Sequence, residues 1–83
     1  MPGIPQPSID RGPLRRNVGG RWEIRRDLTG DLLHEITSGD VIFVEVGGSW
    51  KLTRIDFDHA ARSYVSIDGY PIAAGVIAAL PTA

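Results

Sequence analysis

Cysteine is missing from all 83 residues, so neither a disulfide framework nor a thiolate zinc centre can support the fold. Histidine is nearly missing as well: His34 and His59 are the only two, and a three-histidine zinc site is excluded. Long hydrophobic runs are also lacking. The longest, Ile72 to Leu80, has nine residues including Gly75, against the roughly twenty that a membrane-spanning helix needs. Arg15-Arg16 is followed by Asn17, Val18, Gly19, Gly20 and Arg21, where a twin-arginine export signal would begin its apolar region. The expectation is a soluble, cytoplasmic chain that makes no use of a membrane.

The usual signatures of catalysis are absent too. Ser49 lies in Gly48-Ser49-Trp50, without the Gly-x-Ser-x-Gly frame of a nucleophile elbow, and Gly47-Gly48 lacks the Lys-Ser/Thr of a phosphate-cradling loop. Asp56, Asp58 and His59 are the nearest approach to a metal constellation. An EF-hand counted from Asp56 would require glycine where Ala61 stands and glutamate where Ile67 stands, so a polar strand end is the better reading. His34 and Glu35 are neighbours in sequence, and strand neighbours point to opposite faces. No cofactor is expected, and no enzymatic activity.

What is present is a strong β pattern. Val41, Ile42, Phe43, Val44 and Val46 are β-branched or aromatic, Gly47-Gly48 can take the positive φ of a hairpin turn, and Trp50 opens a return strand to Phe57. On that return strand Trp50 and Leu52 share one side while Ile55 and Phe57 share the other. The change of phase predicts a β-bulge near Thr53 and Arg54, with burial on both faces as the competing explanation. Trp22 and Ile24 alternate with Arg21, Glu23 and Arg25 as a one-sided strand. Leu32, Leu33 and Ile36 make a short run ended by Ser38-Gly39-Asp40, and Tyr64, Val65 and Ile67 make another ended by Asp68-Gly69. In the tail, Pro71 to Ala74 predicts a 3₁₀ turn and Val76-Ile77 a closing strand. These segments predict an all-β domain, a small barrel of five to six short antiparallel strands, over residues 21–83.

Residues 1–20 read differently. Pro2, Pro5, Pro7 and Pro13, with several glycines, predict an extended Pro/Gly/Arg-rich arm and argue against helix or central strand. Charge is divided along the same line. Residues 1–26 hold six arginines against Asp10 and Glu23, a balance of +4, whereas residues 27–83 hold Lys51, Arg54 and Arg62 against eight acids, a balance of −5. Such an arm can reach an anionic partner, nucleic acid included, or neutralise its own acidic domain. No aromatic lies in residues 1–20 to stack on bases, which favours the second reading.

The order GDVIFVEV, GG, SW, then SYVSIDGY and PIAA resembles an SH3-like small barrel from Gly20 to Leu80, with Ser38-Gly39-Asp40 leading into the central hairpin and Pro71-Ile72-Ala73-Ala74 in place of its 3₁₀ turn. More narrowly, ITSGDVIFVEVGGSWKLTRIDFD is similar to a family of short bacterial, phage and plasmid proteins with a hydrophobic hairpin followed by tryptophan; that family implies no particular activity. Val65-Ser66-Ile67 with Tyr70-Pro71 is also similar to the pore strand of the plasmid-borne type II dihydrofolate reductases. Asp68-Gly69 interrupts the match and Ser66 stands where those enzymes carry a folate-contacting glutamine, so the resemblance does not bring the activity with it.

By exclusion, the sequence points to a non-enzymatic protein-binding module, of the kind a mobile element encodes to inhibit or regulate a host defence complex. Nucleic-acid binding through the arginines is the alternative, and a homo-oligomeric pore-type enzyme is a third. The candidate contacts are Arg15, Arg16, Arg21, Arg25 and Arg26 for charge, with Trp50 and Tyr70 for apolar area.

Overall fold

The computed structural model describes residues 4–82. Seven strands form one antiparallel sheet: β1 (Gln6–Arg16), β2 (Trp22–Arg25), β3 (Leu32–Glu35), β4 (Val41–Val46), β5 (Ser49–Asp58), β6 (Ser63–Ser66) and β7 (Ile77–Thr82). Their spatial order is β3-β2-β1-β7-β4-β5-β6. The expected all-β class is therefore found. The expected closed barrel of five to six strands is not, because β3 and β6 end the sheet without pairing to each other. No helix among the described residues is long and apolar enough to cross a membrane.

Of the arm expected over residues 1–20, residues 1–3 lie outside the described residues, and Gln6 to Arg16 form an interior strand of the sheet, between β2 and β7, rather than a free leader. Proline is tolerated there for a geometric reason. Successive strand residues direct their N–H groups to opposite edges, and Leu14 N–H bonds the Val76 carbonyl at 2.8 Å. The Pro13 nitrogen thus faces the other edge, where pairing with β2 starts only at Leu14. The ladder with β7 is also irregular between Pro7 and Arg11, a bulge of the kind that accommodates proline.

Two strands bend between neighbours, and those bends curl the sheet around its core. β1 pairs β7 up to Pro13 and β2 from Leu14 onward. β5 pairs β4 from Ser49 to Arg54 and β6 from Ile55 to Asp58. The β4–β5 register is unbroken, so the bulge expected near Thr53 and Arg54 is absent; both faces of β5 carry apolar groups instead. Thr53 and Ile55 point into the core. Trp50 lies on the outer face with Phe43, their rings edge to face at 6.4 Å between centroids. Lys51 and Arg54 escape burial, since both are exposed. In the tail the closing strand forms as β7, while Pro71 to Ala74 makes no 3₁₀ turn.

The concave face gathers Leu14, Ile24, Ile36, Ile42, Val44, Ile55 and Ala78, all fully buried, with Trp22, Tyr64, Tyr70 and Ile72 packed around them. Burying each large aliphatic side chain stabilises the fold by about 1.5–3 kcal/mol. Thr53 and Ser66 are the polar exceptions on this face. Their hydroxyls meet at 2.7 Å and Thr53 Oγ1 donates to Asp68 at 2.7 Å; among the described residues no buried side-chain nitrogen or oxygen lacks a partner.

The β1 bend depends on Gly12. A Cβ built there would lie 1.7 Å from the Arg25 carbonyl oxygen and 2.7 Å from the Asp27 nitrogen, which itself donates to the Arg11 carbonyl at 3.2 Å. Both obstructing atoms are backbone and cannot rotate aside. Gly12→Ala is expected to cost on the order of 3 kcal/mol in urea unfolding, whereas Gly19→Ala, near only the Asn17 side chain, is expected to cost less than about 1 kcal/mol.

Candidate functional site

The bend turns the outer face of β1, β2 and β3 into a ladder of charge. Residues paired directly across an antiparallel sheet share a face. Arg15 is opposite Glu23, and Glu23 is opposite Glu35, so the three form one row. Arg21, just before β2, and Arg25, at its end, flank Glu23 two residues away on each side. Together with Arg16, Asn17, Val18 and Gly19 these side chains line an open depression of about 730 Å³.

Asn17 organises this depression. It closes the β1–β2 hairpin by accepting on Oδ1 from the Gly19 N–H at 2.9 Å and the Arg21 N–H at 3.0 Å. Its Nδ2 donates to Glu23 at 3.3 Å and to Glu35 at 3.0 Å. Two carboxylates directly opposite each other on adjacent strands repel. Here one amide bridges them and two arginines neutralise them.

The two glutamates are held differently. Glu23 is only 7% exposed, and its Oε1 accepts both Nε and Nη2 of Arg25, at 3.1 and 2.8 Å. The Arg25 hydrogen bonds hold its carboxyl below the usual carboxylate range against the opposing effect of burial, with Asn17 and the Arg25 charge acting in the same direction. Glu35 approaches Arg21 at 3.7 Å, with the two side chains 43% and 50% exposed. Arg16 lies along Trp22, its guanidinium 6.0 Å from the ring, and its Nε reaches the Gly20 carbonyl at 3.4 Å. Arg15 forms no ion pair among the described residues.

Four of the five candidate arginines, Arg15, Arg16, Arg21 and Arg25, therefore meet at one place. Arg26 does not. It pairs with Asp10 at 3.3 Å beside a smaller cleft of about 330 Å³ flanked by Ile9 and Leu28. Trp50 and Tyr70 are also elsewhere. Trp50 sits half-buried on the outer face of β5 with the Arg11 guanidinium 4.8 Å over its ring, and Tyr70 is half-buried against the core.

Sequence reasoning passed over Asn17, Glu23 and Glu35 as site residues. Asn17 carried a readable signal, an asparagine two residues before Gly19-Gly20, where its side chain can bond the backbone of a turn. The meeting of Glu23 and Glu35 depends on the β2–β3 register, which includes a shift between Ile24 and Arg25.

Chemically the depression is a set of forked donors around two occupied carboxylates. With four arginines and two glutamates it has a surplus of two positive charges. Among the described residues, no three His, Cys, Asp or Glu side chains are grouped to hold a metal ion. Comparisons of the chain with family models, curated proteins and solved structures give no match.

A second carboxylate knot holds the opposite end of the β3–β4 connection. Asp40 Oδ2 meets His34 Nε2 at 2.8 Å and accepts from the Thr37 N–H at 2.8 Å. Partial burial works to raise the Asp40 pKa, but the Thr37 N–H, His34 and the Thr37 hydroxyl together leave it below its ordinary value. Glu23 and Asp40 are thus both depressed relative to unfolded values near 4.5 and 3.8. Their stabilisation is fully present above those values and is lost as pH falls through the lower folded ones. Urea unfolding should show stability beginning to drop as the pH is taken below 4.5, where the Glu23 contribution starts to go, and further below 3.8, where that of Asp40 follows, with Glu23→Gln and Asp40→Asn each flattening that drop and lowering stability at neutral pH.

Proposed function

We propose that this chain is a non-enzymatic binding module that docks an acidic surface of a protein partner into the depression lined by Arg15, Arg16, Arg21 and Arg25. The observation that carries the reading is the convergence of these four side chains, with a charge surplus of two, in a chain whose net charge is −1. Guanidinium groups pair carboxylates through two parallel hydrogen bonds, and such contacts gain most where the donors are already held in place. Asn17 supplies that fixation by tying the hairpin turn to both glutamates.

A protein surface suits this site better than a nucleic-acid strand. Glu23 stands in the middle of the row and Glu35 at its end, and both would repel a phosphate chain running across it. The one aromatic beside it, Trp22, is packed against the core. Strands that bind single-stranded nucleic acid combine a continuous basic track with exposed stacking rings, and neither feature lies here.

Long bent strands β1 and β5, each shared between two ladders, support an SH3-like reading of the curled sheet despite its open seam. A module of this size that works by occupying a surface fits an inhibitor or regulator of a host complex encoded by a mobile element and acting in the cytoplasm. Trp50 adds apolar contact area on a separate face.

Binding to a glutamate-rich peptide, followed by fluorescence anisotropy, tests the reading. Arg15→Ala is expected to weaken affinity about tenfold with little change in stability, because Arg15 is exposed and makes no ion pair among the described residues. Arg26→Ala is expected to leave affinity within about twofold. Equal effects of the two, or tight binding of a single-stranded oligonucleotide with none of the peptide, would refute it.

A further inference from the structure

The two ion pairs in the depression are unequal, and the inequality assigns them different jobs. Glu23 is buried, takes two hydrogen bonds from one edge of Arg25 and is strapped by Asn17. Opening it would strand a carboxylate in a nearly solvent-free position, which is strongly unfavourable. Glu35 is the opposite case. Its contact with Arg21 is a single approach at 3.7 Å, outside hydrogen-bond range, between side chains about half exposed.

We propose that Glu35 is a built-in, displaceable competitor for the anionic group of the partner, so that docking proceeds by carboxylate exchange at Arg21 while the Glu23–Arg25 pair stays closed. This rests on the binding reading of the arginine-lined depression. The exchange is feasible on three counts. Among the described residues the Arg21 guanidinium makes no hydrogen bond, and Glu35 approaches it only through a distant Oε1. Glu35 does not lose all its partners when Arg21 turns away, because its other oxygen, Oε2, keeps the 3.0 Å bond from Asn17. Arg15 lies across Glu23 in the same row with no ion pair among the described residues, so an incoming carboxylate group is met by a second guanidinium.

Such a competitor lowers affinity for every anion and admits only partners able to deliver several acidic groups at once, because a lone carboxylate gains little over the one it replaces. The chemistry assigned to the partner is therefore a segment with clustered aspartates or glutamates.

The experiment uses the full chain, a peptide of ten consecutive glutamates as probe, and anisotropy at two salt concentrations, with circular dichroism and thermal unfolding on each variant. Glu35→Gln is expected to bind the peptide about threefold to tenfold more tightly than the unaltered chain, and Glu35→Ala to do the same. Adding Arg21→Gln to Glu35→Gln is expected to abolish the gain. If the unaltered chain binds the peptide and both Glu35 variants, folded by circular dichroism, bind equally or more weakly, the competitor role is overturned while the binding reading stands. If neither the unaltered chain nor any Glu35 variant binds the peptide at low salt, both are overturned; binding of a single-stranded oligonucleotide alone has the same consequence.

Discussion

The close passage of the Arg25 carbonyl over Gly12 is the constraint on which the molecule turns. Because position 12 has no side chain, the end of β2 can lie against β1 while the Asp27 N–H bonds the Arg11 carbonyl. β1 can then leave the β7 ladder and enter the β2 ladder without breaking. That bend sends Leu14 and Ile24 into the core on one face. On the other it lifts Arg15, Glu23 and Glu35 into a single row. Core and candidate site are thus two sides of one strand crossing.

The same crossing explains how a small chain without disulfides keeps polar groups where they are useful. Charges inside the depression are arranged in a graded series, from the buried, two-point Glu23–Arg25 pair, through the loose Glu35–Arg21 contact, to Arg15 without an ion pair among the described residues. Burial decides the grade. A pair shielded from water acts as part of the frame, whereas an exposed pair is weak and exchangeable. Asn17 bridges the two regimes, since one amide touches both glutamates and one carbonyl oxygen holds the turn beside them.

The opposite end of the sheet follows a different rule. On the outer face Trp50 of β5 packs edge to face with Phe43 of β4 beneath the Arg11 guanidinium, so β5 turns core residues to one side and a packed aromatic to the other. Two-sided packing of this kind mimics a change of phase in a one-dimensional pattern. Trp50-x-Leu52 and Ile55-x-Phe57 read as a slipped strand, although the strand never slips. The unbroken β4–β5 register separates the two explanations, and an arginine from β1 supplies the cover on the outer face.

Local chemistry by itself determined the β class, the Gly47-Gly48 hairpin, the strand around Trp22 and Ile24, and the concentration of arginine before residue 27. These follow from side-chain shape, turn geometry and period-two alternation, all properties of near neighbours. Tertiary structure decided the rest. Proline-rich residues 6–16 became an interior strand because their N–H-deficient positions fall where no ladder bond is required, and the sheet stayed open because β3 and β6 do not meet. Which arginines meet was likewise a matter of register: Arg15 and Arg25 converge through pairing across β1 and β2, while Arg26, one residue further on, is drawn to Asp10. Pairing between strands distant in sequence depends on contacts that no local pattern records, and that is why the site emerges only in three dimensions.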